Sequence, residues 1–550
     1  MLLIGLVLGV AAVILLADRY YWAQISQWRE DQATNIWLGY TQGFRGIPVG
    51  LMSSRGIPNP NGMILVGFVM SALPGLVAVG FTLSVVQVLW VVLLGRQAFG
   101  TQWRDLLFAT VPSLSSVILR STSVELWNNY VFVSINSSYL FWVIRYLQNR
   151  SVWNLPPVVG LVFLAPSLYL AGLVNAVVMT LMTIGVLVWV PPRTRCLRPV
   201  VVAVACIALL SVSLTWWPYF RSMNAEQLTS YGTTRLTLPF MTQTAWHAIV
   251  KWPRYAVTHW ADASFVASAI KHADRRILSP STQRLLWVAG SLYLIQAVFA
   301  AVVLGYVLCL AFLNRGGRAL VMLRVNRPVV RVTALAAVFV LASYACGAYL
   351  NGPAWMDGER PDQTVQFLPA CLLIVFLLPF TVSIEGFAQR LIAGIAYGVL
   401  VVFATASLAC GFMIIRDHLS YRGPILTEAD VPLTDKEQVV DLIAASWKIR
   451  SASRNVPVDY HLGGGVWDWV PEFGRGLQRW YRAPMTEGRA FDYELLRRHG
   501  LTNQQEGIQL RTFGAGRYLV TYAFEEPPTI EGANVVHHVR GRLRVTIVDK

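Results

Sequence analysis

Residues 2–17 read LLIGLVLGVAAVILLA, an unbroken run without a charged side chain. A helix needs about 20 apolar residues to cross a bilayer. The run is therefore expected to continue into Tyr20-Tyr21-Trp22, aromatic residues of the kind that settle at a membrane interface. No basic segment precedes it and no clear small-x-small cleavage site follows it, so it reads as a retained span rather than a leader. Further apolar stretches repeat the pattern near 75–95, 106–120, 126–144, 155–171, 173–190, 199–218, 285–313, 332–350, 365–381 and 391–414. The expected fold is an all-α polytopic membrane protein of about 11 transmembrane helices.

Composition agrees with that reading. The 550 residues are 55% hydrophobic and 13% charged, against about 25% charged in soluble domains. A net charge of +16 could suggest nucleic acid, but its placement argues against that partner. From residue 416 onward 18 Lys/Arg stand against 17 Asp/Glu, so the excess lies in the apolar part. There basic residues set topology. The loops assigned to the inside hold Arg96 and Arg104; Arg145 and Arg150; Arg193, Arg195 and Arg198; Arg315, Arg318, Arg324, Arg327 and Arg331; and Arg390. Those 13 arginines face two acids, Asp105 and Glu385. The bias puts the N-terminus in the cytoplasm and, with an odd span count, the C-terminal region outside.

Two domains follow: a membrane domain over 1–414 and a small extracytoplasmic α/β domain over 415–550. In the second, Thr434 and Glu437 form a capping-box signal ahead of a helical run at 439–447. Two β-like runs follow, 518–524 and 543–548, and Gly463-Gly464-Gly465 reads as a turn. The six cysteines lie in or beside apolar stretches, with none beyond 415 and no CxxC spacing, so neither a disulfide framework nor a zinc site is expected. Asp357, Glu359 and Asp362 have no histidine beside them and read as a solvated turn. His537-His538 reads as surface, and no metal site is assigned.

Three segments face outward together: loop 18–62, loop 219–284 and the tail. Loop 219–284 carries eight basic residues, Lys251 and Arg254 among them, against three acids. A basic outer surface suits a phosphate or pyrophosphate lipid headgroup; the plainer reading is an amphipathic helix pair lying on anionic lipid. Loop 18–62 holds an acidic pair, Glu30-Asp31, with Arg29, Arg45 and Arg55 in the same segment. Sugar transfer to a hydroxyl or amine needs a carboxylate to take the acceptor proton. It also needs cationic groups to hold an anionic leaving group. Both kinds are present here; adjacent carboxylates cannot face one point on a helix, so one of the two acts. The plainer reading is a helix-terminus pair bridging to Arg29 or Arg19.

With these residues the chain resembles the GT-C fold, the polytopic glycosyltransferases that use polyprenyl-phosphate sugars. In that group an acidic motif follows the first span, an Asn-Pro-containing or His/Lys-Pro-Pro-like segment precedes the second, and the second ends in Leu-Gly-Arg-x-x-Phe-Gly. Here Glu30-Asp31, then Ile57-Pro58-Asn59-Pro60-Asn61-Gly62, then Leu94-Gly95-Arg96-Gln97-Ala98-Phe99-Gly100 stand in that order. The order and spacing are similar to the dolichyl-phosphate-mannose and aminoarabinose-transferase branch over 1–150, and architecturally similar beyond. The segment before the second span has no Pro-Pro pair, and Asn59 or Asn61 stands where the family often has His or Lys.

The resemblance implies a polyprenyl-phosphate-linked sugar donor, a glycan, lipid or protein acceptor, contact with membrane lipid, and residence in the cell's inner or plasma membrane. It puts the general base on Asp31, with Glu30 as the second candidate. Asn59 and Asn61 then either contact the substrate or cap the helix that begins near Met63. No cofactor is assigned; a divalent metal, used by some relatives, stays open. Glu125 is a second acid facing the same cavity or a residue favoured by a helix dipole. Arg120 pairs with Glu125, binds phosphate, or snorkels to the interface. The competing functions are a non-catalytic assembly or scaffold protein and a transporter or flippase of lipid-linked sugars. Coupled transporters keep ionisable residues inside their spans, and the span cores here are almost free of Asp, Glu, Lys and His.

Overall fold

The computed structural model describes residues 2–26, 49–50, 59–100, 102–170, 172–193, 198–222, 277–314, 323–351, 365–384 and 387–420, the strands 458–462, 518–523, 534–540 and 543–549, and Gln32, Asn35, Ile36 and Gly39. The chain is mainly helical. In order come α1 (Leu2–Gln24), α2 (Gly62–Met70), α3 (Leu76–Phe99), α4 (Trp103–Ser115), α5 (Val117–Ser123), α6 (Asn128–Asn149), α7 (Leu155–Leu168) and α8 (Gly172–Trp189). Then follow α9 (Arg198–Ser211), α10 (Trp217–Ser222), α11 (Pro280–Asn314), α12 (Arg327–Asn351), α13 (Leu368–Leu377) and α14 (Phe387–Ser420).

Among the described residues, six helices are long and apolar enough to cross a membrane: Leu76–Phe99, Gly172–Trp189, Arg198–Ser222, Pro280–Tyr306, Arg327–Cys346 and Arg390–Ser420. They coincide with the apolar stretches at 75–95, 173–190, 199–218, 285–313, 332–350 and 391–414. Val152–Leu168 and Val365–Phe380 are shorter apolar helical segments. The run 2–17 lies within α1, and 126–144 overlaps α6. Isoleucines, valines and leucines remain exposed all along α8, α9 and α14, the pattern of a surface solvated by lipid rather than water.

Two helices break where the sequence removes a backbone donor or supplies a cap. The stretch expected to be continuous at 106–120 is α4 and α5, separated at Ser116, whose backbone is extended (φ −52°, ψ 123°). Pro112 withdraws one N–H from the last turn of α4. Ser116 Oγ then accepts from Leu119 N at 3.4 Å and caps α5. Between α9 and α10 the backbone widens into a π turn, Val212–Trp216. Pro218 has no N–H for the carbonyl four residues earlier, that of Leu214.

Helices pair closely: α3 lies along α6, α11 along α14 and α7 along α8. Their interior is apolar, with Tyr139 stacked on Phe339 and Phe376 against Phe403. One buried polar network crosses it. Asn175 Nδ2 donates to Asn136 Oδ1 at 3.1 Å and to Gln366 Oε1 at 2.7 Å. Asn136 Nδ2 donates to the Gln366 carbonyl at 3.1 Å. Asp417, near the end of α14, accepts from Ser279 N at 2.8 Å and Thr282 Oγ1 at 2.5 Å, capping the start of α11.

Two short strands, β1 (Leu323–Val325) and β2 (Val382–Ile384), pair antiparallel. The C-terminal region contributes β3 (Val458–Leu462), β4 (Tyr518–Ala523), β5 (Asn534–Arg540) and β6 (Leu543–Asp549). They form one sheet in the order β3-β4-β6-β5, with β3–β4 parallel and the other pairs antiparallel. β4 and β6 match the two β-like runs, and β5 carries His537-His538. The expected helix at 439–447, the glycine turn at 463–465 and the acidic turn at 357–362 lie outside the described residues.

Candidate functional site

Glu30, Asp31, Arg45, Arg55, Lys251 and Arg254 lie outside the described residues. Asn59, Asn61, Arg120 and Glu125 lie within them, and all four are buried.

Glu125 occupies the turn between α5 and α6, and it is 7% exposed. A close approach to α3 holds that turn in place. A Cβ on Gly80 would come within 2.6 Å of the Val124 carbonyl and 3.4 Å of Ala23 Cβ. One turn further along α3, Ser84 and Ser123 hydroxyls are 2.7 Å apart. Gln32 Nε2 donates to Glu125 Oε2 at 3.3 Å. This bond links residues 93 positions apart, and Gln32 is the chain neighbour of Asp31. The bond brings Gln32 to the turn between α5 and α6 at one end of the helix bundle.

Arg120 takes a different partner from those expected. Its guanidinium is fully buried and meets Asp18 two-pronged, Nη2 to Oδ1 at 2.6 Å and Nε to Oδ2 at 2.9 Å. Nη1 donates to the carbonyls of Ser407 at 3.0 Å and Ser115 at 3.4 Å. The Trp22 ring covers it at 5.5 Å. Gly411 on α14 makes the room: a Cβ there would lie 2.5 Å from Arg120 Cζ. These contacts orient Arg120 into the bundle, where it ties α1, α5 and α14 together. Arg19, the neighbour of Asp18, is buried too, and its Nη2 donates to the Leu114 carbonyl at 2.8 Å.

Asn59 and Asn61 brace the entrance to α2. Asn61 stands at the N-cap position of α2 without a side-chain cap bond. Its Nδ2 instead donates to the Leu214 carbonyl at 3.1 Å, the acceptor that Pro218 leaves without its helical donor. Asn59 Oδ1 accepts from Leu170 N at 3.4 Å. Gly62 lets α2 press against the end of α7, since a Cβ would sit 2.6 Å from the Ser167 carbonyl carbon. The Asn59-Pro60-Asn61-Gly62 segment is thus a clamp joining the start of α2 to the end of α7 and to the π turn after α9, which neither of the two sequence alternatives for the asparagines anticipated.

Sequence reasoning did not single out Asp18 or Gln32. An Asp-Arg pair at the end of an apolar run reads as an interface marker, and nothing in the pattern shows an arginine 102 residues away. A glutamine beside an acidic pair carries no signal by itself. Among the described residues no three His, Cys, Asp or Glu side chains form a metal-ligand group. No family model, no curated protein and no solved structure matches the chain.

Proposed function

We propose that the chain is a membrane glycosyltransferase of the GT-C kind, moving a sugar from a polyprenyl-phosphate donor to a lipid, glycan or protein acceptor at the outer face. The proposed topology has 11 crossings: α1, α3, α4 with α5, α6, α7, α8, α9 with α10, α11, α12, α13 and α14. The N-terminus is then cytoplasmic and the β3–β6 sheet extracytoplasmic. Asp31 is the general base, with Glu30 as the alternative. It removes the proton of the acceptor hydroxyl or amine as the acceptor atom bonds to the anomeric carbon. The bond from that carbon to the phosphate oxygen breaks, and polyprenyl phosphate leaves with the electron pair and inversion at carbon. Arg45, Arg55, Lys251 and Arg254 are the proposed phosphate partners.

The observation that carries this reading is the Gln32–Glu125 hydrogen bond. It supports the reading because Gln32, the chain neighbour of Asp31, meets a second acid, Glu125, at the α5–α6 turn. The test is transfer of radiolabelled sugar from a panel of polyprenyl-phosphate sugars, in membranes holding wild type or Asp31→Asn. Label reaching product in wild type and not in the variant is the expected result. Equal transfer in both moves the base to Glu30 or Glu125; no transfer from any donor favours the scaffold reading.

A further inference from the structure

Asp18, Arg19 and Arg120 form a buried group with two cations and one carboxylate. Both Asp18 oxygens are hydrogen-bonded by Arg120, so the group of two guanidiniums and one carboxylate carries one positive charge in excess. Arg19 Nε and Nη1 have no hydrogen-bond partner among the described residues. Two more donors nearby in the chain have the same deficit: Trp22 Nε1 on the same helix and Ser26 Oγ just past its end. Arg19, Trp22 and Ser26 are 1%, 2% and 5% exposed. Arg19 and Trp22, three residues apart, lie about 60° apart on one face of α1, and Ser26 follows two residues past the end of that helix.

The chemistry of this row is one-sided. A guanidinium and an indole can only donate, and a hydroxyl can donate as well. Buried donors are ordinarily partnered, and a buried charge is ordinarily paired. Ordered water would satisfy the hydrogen bonds but would leave the cation unbalanced. What satisfies both is an oxyanion. In the proposed topology Arg19 stands near the outer end of α1, at headgroup depth.

We propose that Arg19, Trp22 and Ser26 form a binding site for a phosphate group, supplied by a lipid headgroup or by free phosphate. The site is distinct from the basic residues of the loops. It stands whether or not the chain transfers sugar, because its test reads binding alone. Arg19 supplies its charge and one charge-assisted N–H, from Nε or Nη1, Trp22 one neutral N–H, and Ser26 an O–H.

The experiment uses the full chain purified in a neutral detergent. One arm measures the thermal unfolding midpoint against inorganic phosphate, with chloride at matched ionic strength as reference. The other measures retention of a single phosphatidic acid by native mass spectrometry, with a neutral diacylglycerol as reference. Phosphate-specific stabilisation in the first arm identifies a free-phosphate site; a retained phosphatidic acid in the second identifies a lipid site. Either affinity is expected to fall about 10- to 100-fold in Arg19→Gln and up to about tenfold in Trp22→Phe. If Arg19→Gln does not fold, Trp22→Phe decides alone. The proposal is overturned if neither probe binds wild type beyond its reference. It is equally overturned if the folded variants bind as wild type does.

Discussion

Replacing Arg120 by methionine removes the cation from a buried pair while keeping most of the side-chain volume. The carboxylate of Asp18, only 2% exposed, then loses both of its partners. Removing one member of a buried, hydrogen-bonded pair costs about 3–5 kcal/mol, because the remaining charge is neither solvated nor paired. Asp18→Leu is expected to cost about the same, since Arg120 keeps only the Ser115 and Ser407 carbonyls. The double variant removes both charges of the pair together, with Arg19 the charge that remains buried beside it. Its cost should fall to about 1–2 kcal/mol, the loss of the bonds to those carbonyls. The coupling between the two positions is therefore at least about 4 kcal/mol. Equilibrium unfolding in mixed micelles titrated with dodecyl sulfate, followed by tryptophan fluorescence, measures all four species. Single costs that add to within about 0.5 kcal/mol in the double variant would refute the reasoning.

Gly411→Ala should destabilise by about 1–3 kcal/mol through the clash with the Arg120 guanidinium. The same change made in Arg120→Met should cost less than half as much in the same unfolding titration. Asn61→Leu should cost about 1–2 kcal/mol by abandoning the Leu214 carbonyl, and Pro218→Ala should recover part of that loss by returning a backbone donor to it. Asp417→Ala should cost about 1–2 kcal/mol by uncapping α11, seen as faster hydrogen exchange at Ser279 and Thr282. Within the proposed transfer reaction, Gln32→Leu should lower kcat about tenfold with little change in KM, read in the radiolabel assay.

The helices were legible because each carries its own signal. An apolar run such as 199–218 or 391–414 has to satisfy every backbone group within itself once water is gone, so its helicity needs no partner elsewhere in the chain. β4 and β6 were legible for a similar reason, through local runs of β-branched and aromatic residues. β3 and β5 were not: Val458–Leu462 mixes an acid and a histidine into its apolar residues, and Asn534–Arg540 contains two histidines. Their strand character rests on neighbours, parallel to β4 in one case and antiparallel to β6 in the other. The break at Ser116 was written in Pro112 and a serine cap, yet hydropathy averaged across it.

At the candidate site, the residue types were readable while their partners were not. Glu125 and Arg120 stand five residues apart and invite pairing in the sequence, but the fold sends Arg120 inward to Asp18 and leaves Glu125 to Gln32. Asn61 looked like a cap and became a brace, because Pro218 orphaned a carbonyl 153 positions along the chain from it, at Leu214.

What the sequence alone determined is where the chain becomes helical and apolar, since burying a backbone in lipid is a local demand that each segment answers alone. Only the tertiary structure decided which charges meet and which donors along α1 are left over. A buried ion pair depends on separation and desolvation between segments that touch only after the helices have packed, and those distances have no counterpart in the order of residues along the chain.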